Sequence, residues 1–274
     1  MALKGNLLYN GDFGTGTTEE WIKGIFGLDG CWNWGITTDR VYRGNYALHI
    51  GANYKCVETF IGYDDSFSLE EYEAYLFTGY CYQDDPRTIC PVVYFLRDDG
   101  GLERVYWAGV ITDAGKWVRF IALIRAVGMY SRFTVGFYFK DVFQCNHFYI
   151  DEVALMPFRR IKGIIPTQEY TLSGVNNNRT YYLGLSAFGA TKVRSSFMVT
   201  NVSGESPSLT PKLEMYYSPE FVIHKDLEHS TFTSKGFEEK TLEVGDAGYI
   251  HVSLTVGGSS PSFDIRHRVA LEPL

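Results

Sequence analysis

Most of the chain's clustered carboxylates come as neighbouring pairs: Asp64-Asp65, Glu70-Glu71, Asp84-Asp85, Asp98-Asp99 and Glu238-Glu239. Glycoside hydrolysis needs two acids facing each other across a cleft, one to protonate the leaving oxygen and one to attack or to activate water. Adjacent residues of a strand point to opposite faces, and most of these pairs stand among turn residues, so they read as solvated loop carboxylates. Ser195 and Ser196 lack the glycine context of a nucleophile elbow, and Gly14-Thr15-Gly16-Thr17-Thr18 lacks the lysine and following helix of a phosphate loop. The six histidines show no metal-ligand spacing. His224 and His229 are separated by loop-like sequence, while His251 and His267 alternate with apolar residues as solvent-facing strand positions do. This inventory predicts no catalysis.

Aromatic residues offer chemistry of a different kind. Trp32 and Trp34 flank Asn33 and share a face if extended, Tyr80 and Tyr82 share a face of their strand with Thr78, and Trp107 follows Tyr106 beyond a hairpin. Sugar rings present apolar C–H faces that stack on such side chains, while Asn33, Gln83 or Arg97 would satisfy hydroxyls. Core packing competes for every aromatic on a strand, and Trp21 and Trp117 are assigned to the core.

The elements that must position these rings are strands. Aromatic residues make up 16% of 274 residues, in short β-branched runs separated by Gly, Asn and Asp, which predicts an all-β protein. Tyr46 to Ile50, Tyr75 to Tyr82, Val92 to Arg97, Glu103 to Val110, Trp117 to Ile124, Arg132 to Phe139 and Phe148 to Pro157 follow a short strand at Leu7. Asp98-Asp99-Gly100-Gly101 marks the clearest hairpin. This regular spacing predicts a β-sandwich over residues 1–157. Pro157 is expected to end ladder pairing, and residues 158–165 form a basic linker. Residues 166–274 hold about eight further strand candidates, among them Val193 to Asn201, Lys212 to Tyr217, Tyr249 to Val256 and Phe263 to Leu271, hence a second sandwich. A net charge of -7 argues against nucleic acid as partner, and no apolar run is long enough to insert in a membrane. The five cysteines, Cys31, Cys56, Cys81, Cys90 and Cys145, contain no Cys-x-x-Cys pair; they are expected as reduced thiols, with a Cys81–Cys90 bridge as the alternative.

Several of these pieces carry a resemblance. Asn6-Leu7-Leu8-Tyr9-Asn10-Gly11-Asp12-Phe13, Trp21, Gly44 to Leu48, Leu69 to Tyr75, Gly115-Lys116-Trp117 and Tyr149 to Leu155 together resemble the jelly-roll carbohydrate-binding modules appended to xylanases and glucanases. The resemblance covers nearly all of residues 6–157 and implies a jelly roll with sugar adhesion. It also implies a structural calcium held by Asn10, Asp12 and Asp151, although Gly14 stands where the family has a further acid. The alternative for Asp151, a carboxylate among apolar strand neighbours, is hydrogen bonding to backbone amides and to Asn10.

The Ser/Thr-rich second half, with its Asn176-Asn177-Asn178 turn, is similar to phage virion and tail-associated sandwiches. Without an export segment, and with an odd cysteine count, the chain is expected to be made in a host cytoplasm and displayed on a virion surface. There it would be a non-enzymatic, homo-oligomeric decoration or fibre-like component whose partners are other capsid or tail proteins and possibly cell-surface glycans. The alternative is a sugar-binding piece of a secreted polysaccharide-degrading enzyme.

Overall fold

Apolar and polar residues alternate with period two along most of the chain, and each such run is a strand. The computed structural model describes residues 6–23, 32–52, 56–68, 74–85, 88–97, 99, 101–125, 131–142, 147–158, 167–186, 192–217, 222–244 and 249–272, and every regular element among them is β. The chain divides into two compact units, residues 1–162 and 163–274.

The first unit contains β1 (Trp21–Lys23), β2 (Trp32–Thr37), β3 (Ala47–Ala52), β4 (Cys56–Tyr63), β5 (Phe67–Ser68), β6 (Ala74–Gln83), β7 (Thr88–Leu96), β8 (Leu102–Trp107), β9 (Val118–Arg125), β10 (Arg132–Val142) and β11 (His147–Phe158). One antiparallel sheet runs β1-β4-β10-β7-β8, with β5 also on β10. The other runs β9-β6-β11-β3-β2. Consecutive strands mostly cross from one sheet to the other, which is the winding of a jelly roll. The expected β7–β8 hairpin is present, closed by the Arg97 amide donating to the Gly101 carbonyl at 2.9 Å.

Phenylalanines join the two sheets. Phe137 of β10 lies 6.0 Å from Phe77 of β6 and 5.6 Å from Phe120 of β9, and Phe139 lies 5.2 Å from Phe148 of β11. All are fully buried, and each contributes about 2–3 kcal/mol by leaving water. Trp21 sits in this core as expected, against Phe13, Tyr63 and Phe137. Cys81 and Cys90 are buried thiols on β6 and β7, in different sheets, and no disulfide joins them.

Two sequence expectations are corrected here. Pro157 does not stop the ladder: it lies opposite Tyr75, and Phe158 opposite Ala74. Past Ile150, β11 no longer pairs with β3, so a missing N–H on that side costs nothing. Residues 7–14 are turns rather than a strand. They dock on an irregularity of β11, where Asp151 lies opposite Tyr80 but Ala154 opposite Thr78, one residue too many on β11. The Val153 amide donates to the Gly11 carbonyl at 2.8 Å, and Asn6 bonds Val153 and Leu155 through its side chain.

In the second unit β12 (Thr167–Val175), β13 (Arg179–Ser186), β14 (Lys192–Tyr217), β15 (Val222–Glu228), β16 (Gly236–Glu243) and β17 (Tyr249–Glu272) are all antiparallel. The 26-residue β14 and 24-residue β17 pair with each other through both halves. Their outer partners change midway: β16 and β12 flank one half of the ladder, β15 and β13 the other. The ladder therefore turns a corner and makes both sheets of a sandwich. The Gly, Ser and Pro runs expected to separate independent strands are that corner. Gly204 (φ 110°) and Ser206 (φ 49°) bend β14, and Gly258 (φ 106°) and Ser260 (φ 49°) bend β17. A Cβ on Gly204 would stand 2.6 Å from the Ser260 carbonyl oxygen, and one on Gly258 2.6 Å from that of Ser206. His251 and His267, expected to face solvent, are both buried. His267 shares its inward row with Phe263, Ile265, Val269 and Leu271, so it faces the core by strand parity.

All five tryptophans precede residue 118, so tryptophan fluorescence reads the first unit alone. A Cβ on Gly11 would meet the Val153 carbonyl oxygen at 2.1 Å. Gly11→Ala is expected to lower the stability of the first unit by about 1–3 kcal/mol, measured by urea titration of tryptophan emission.

Candidate functional site

Phe77 and Cys81 of β6 point into the core, so Tyr80 and Tyr82 point to the outer face of the β9-β6-β11-β3-β2 sheet. Register sets two transverse rows there. Arg119, Tyr80 and Asp151 lie side by side on β9, β6 and β11, and Tyr82, Tyr149, His49 and Gly35 on β6, β11, β3 and β2. The segment 38–46 folds over this face, where the Tyr42 ring stacks on Tyr80 at 3.6 Å and 17°.

Asp151 holds that segment down. It is fully buried; its Oδ2 accepts the amides of Tyr42 and Arg43 at 2.8 and 2.9 Å, and its Oδ1 accepts the Glu152 amide at 2.7 Å. Burial pushes the carboxyl up to about 6 in spite of these three donors.

The extra residue in β11 creates the site's acid. Ile150 lies opposite Cys81 and Leu155 opposite Phe77, so both face the core although they are five apart. Regular alternation would send Glu152 inward with Phe148 and Ile150. With φ 50° at Glu152, the chain instead delivers its carboxylate to a cleft of about 500 Å³ lined by Tyr42, Arg43, Thr78, Tyr80, Arg119 and Glu152. Arg119 donates from Nε to Thr78 Oγ1 at 3.4 Å. Among the described residues neither Arg43 nor Arg119 has an ion-pair partner, and the Glu152 carboxylate has neither ion pair nor hydrogen bond. Burial, and after it the neighbouring Tyr42 hydroxyl, push the Tyr80 hydroxyl up.

The second row is more closed. The Arg40 guanidinium stands 4.1 Å above the Tyr82 ring and pairs with Asp84 at 3.3 Å; Trp117 and Tyr149 lie against the same ring. His49 Nε2 and His147 Nδ1 share a hydrogen bond of 2.8 Å. Burial, then the neighbouring His147, push His49 down.

Of the five aromatics expected to bind sugar, the structure brings Tyr80 and Tyr82 together on this face. Tyr82 has its ring covered by Arg40, so Tyr80 with Tyr42 forms the open platform. Trp34 lies opposite Ile50 on β3, on the core side of the sheet and away from these rings. Trp32 is on the same edge strand, and Trp107 is on β8 in the other sheet. Trp117, assigned to the core, is half-buried on the outer face against Tyr42 and Tyr82. Tyr42 and Glu152 were not singled out by sequence. Tyr42 stands in a turn without periodicity, and only a bulge, which alternation cannot reveal, turns Glu152 outward.

The residues expected to hold calcium are engaged otherwise. Asp151 accepts three amides, Asn10 Nδ2 donates to the Thr17 carbonyl at 2.9 Å, Asn10 Oδ1 accepts the Thr15 amide and Asp12 Oδ1 the Gly14 amide, each at 3.2 Å. The partners of Asp151 are thus backbone amides, which make a hydrogen-bonded clamp of it. No group of three or more His, Cys, Asp or Glu side chains able to hold a metal ion occurs among the described residues.

No protein-family model matches the sequence, and no curated protein matches it. Among solved structures the chain is similar to the N-terminal CBM22-1-CBM22-2 tandem domain of Paenibacillus barcinonensis Xyn10C, at 12% identity over 98% of this chain and 99% of that one, TM-score 0.42. It is also similar to the C-terminal family 22 carbohydrate binding module of Clostridium thermocellum Xyn10B (15% identity, 57% of this chain, 97% of that one, TM-score 0.45). A third is the enzymatically active domain of bacteriophage CBA120 tailspike protein 4 (10% identity, 56% of this chain, 22% of that one, TM-score 0.44). The structures it resembles thus include carbohydrate-binding modules, the class that residues 6–157 resemble in sequence. At these identities and scores the likeness carries no weight for function, which rests on the site's own residues.

Asp151→Ala leaves the Tyr42 and Arg43 amides without an acceptor. It is expected to cost the first unit about 1–3 kcal/mol by urea titration, with faster hydrogen exchange at those two amides. Chelator and added calcium are expected to leave the wild-type midpoint unchanged.

Proposed function

We propose that the first unit binds a glycan without transforming it, in the cleft between the Tyr42–Tyr80 stack and Glu152. The observation that carries this reading is the pairing of an open aromatic face with an acid and two guanidinium groups that have no ion-pair partner among the described residues. Tyr42 is 42% exposed and stacks on a half-buried Tyr80, which suits the apolar face of a pyranose. Glu152 accepts only, and Arg43 and Arg119 donate only, so together they match the alternating donors and acceptors of a sugar's hydroxyls. One acid and two arginines line the cleft, with no second carboxylate among its lining residues, an arrangement for holding a glycan rather than for hydrolysing it.

We place this surface on an oligomeric virion component. Cys81 and Cys90 lie in different sheets with no disulfide between them, which fits a protein folded in a reducing compartment. A closed homo-oligomer by size-exclusion chromatography with light scattering is the expected result; a strict monomer that binds a plant or microbial polysaccharide tightly would favour the enzyme-appended alternative.

Glycan-array screening is expected to find ligands for the first unit. Tyr42→Ala and Glu152→Gln should each weaken binding about tenfold or more, whereas Trp34→Ala, on the core side of the edge strand, should leave the affinity of the folded protein unchanged. Absence of any ligand at millimolar concentration, or indifference to both cleft substitutions, would remove the proposal.

A further inference from the structure

The second unit buries a continuous polar chain that glycan binding does not use. Tyr181 of β13 bonds His267 Nδ1 at 2.9 Å, His267 Nε2 and His229 Nε2 each bond Ser195 Oγ at 2.8 Å, and His229 Nδ1 bonds Glu238 Oε2 at 3.0 Å. Tyr181, Ser195, His229 and His267 are all buried. Donor and acceptor roles follow from the acidic end. A carboxylate only accepts, so His229 donates from Nδ1 and accepts at Nε2 from the Ser195 hydroxyl. The Ser195 oxygen then accepts from His267 Nε2–H, and His267 Nδ1 accepts from the Tyr181 hydroxyl. One direction satisfies every group, and it requires both imidazoles to be neutral.

The order Glu238, His229, Ser195 is that of an acyl-transfer triad. Ser195, however, is fully buried, and a second imidazole occupies its oxygen, so no substrate carbonyl can approach it.

The chain also crosses the sandwich. Ser195, His267 and Glu238 belong to the half-ladder of β16, β14, β17 and β12. Tyr181 lies on β13 of the other half, and the His229 amide donates to the Pro211 carbonyl in the second half of β14. We propose that this chain is an acid-sensitive clasp, which holds the two sheets of the second unit together only while His229 and His267 are uncharged.

The groups around it define what a proton does. From β16, Glu238 faces His229, held down to about 2 by Ser230, His229 and Lys240 against an upward push from burial. Lys240 lies 3.5 Å from Glu238 and also bonds the Glu228 carbonyl at the end of β15. From β12, Tyr170 packs on Tyr181, and Arg179 of β13 lies near the same hydroxyl. Phe197 packs on both imidazoles and is itself backed by Phe232. A proton on His229 turns Nε2 into a donor and leaves the Ser195 hydroxyl without an acceptor. One on His267 puts a second charge beside the first in an apolar core.

Burial, then His229, push His267 down to about 3, and burial pushes His229 down as well. Depressed histidines stabilise the fold above their unfolded value of about 6.5, and that stability is lost as pH falls from there toward the folded value.

The test uses the full chain and hydrogen exchange read by mass spectrometry at pH 7.5 and 4.5, corrected for intrinsic exchange. Peptides covering 192–200 and 262–271 are expected to lose about 100-fold in protection at pH 4.5 for one histidine of this kind. His267→Gln, which cannot charge, is expected to be less protected than wild type at pH 7.5 and to lose much less between the two pH values. His229→Gln serves the same comparison if the first variant fails to fold. Wild-type protection equal at both pH values would overturn the proposal, as would a folded glutamine variant that keeps the wild-type ratio.

Discussion

A single buried carboxylate organises the outer face of the first unit. Asp151 accepts three amides, two of which belong to a segment more than a hundred residues earlier in the chain. The charge is costly to bury, and its remedy lies in bringing residues 42 and 43 onto the sheet. Their arrival carries Tyr42 onto Tyr80 and Arg43 to the cleft. The same stretch of β11 supplies Glu152 through its extra residue. Clamp, platform and acid thus descend from one irregular strand, and the jelly roll beneath needs only to keep that strand flat against β6.

How much of this was legible in sequence follows from what alternation encodes. Period-two patterns located β6, β7, β8, β9 and β10 and placed Tyr80 and Tyr82 on a common face, because strand parity is a local property. Asp151 stood out as a carboxylate among apolar neighbours, and one of the two partner sets considered for it, backbone amides, is the one present. Trp34 lies on the core side of its sheet and Trp117 on the outer face, placements alternation leaves open because parity says which residues share a face, not which face meets the core. That choice depends on the register of Trp34 with Ile50, a contact between strands. The outward turn of Glu152 depends on a bulge that only the partner strand and the Gly11 turn define.

The second unit shows the same limit in another form. Gly204 to Ser208 and Gly258 to Ser262 carry every mark of loop sequence, yet the backbone there stays in the ladder and merely bends, because two bends side by side satisfy each other. Turn chemistry specifies unusual φ, and a reversal and a corner use the same residues. His267, between Arg266 and Arg268, did carry a local signal: with both arginines outward, parity alone puts the imidazole inside.

The shared corner also bears on how this half of the chain can come apart. Because β14 and β17 each belong to both sheets, the layers are leaves bound along a common spine rather than separate plates. Opening them swings the leaves about residues 204–206 and 258–260 without unpairing the central ladder. Reclosure then requires no distant chain ends to find one another, so little loop-closure entropy stands against it, and such an opening is reversible.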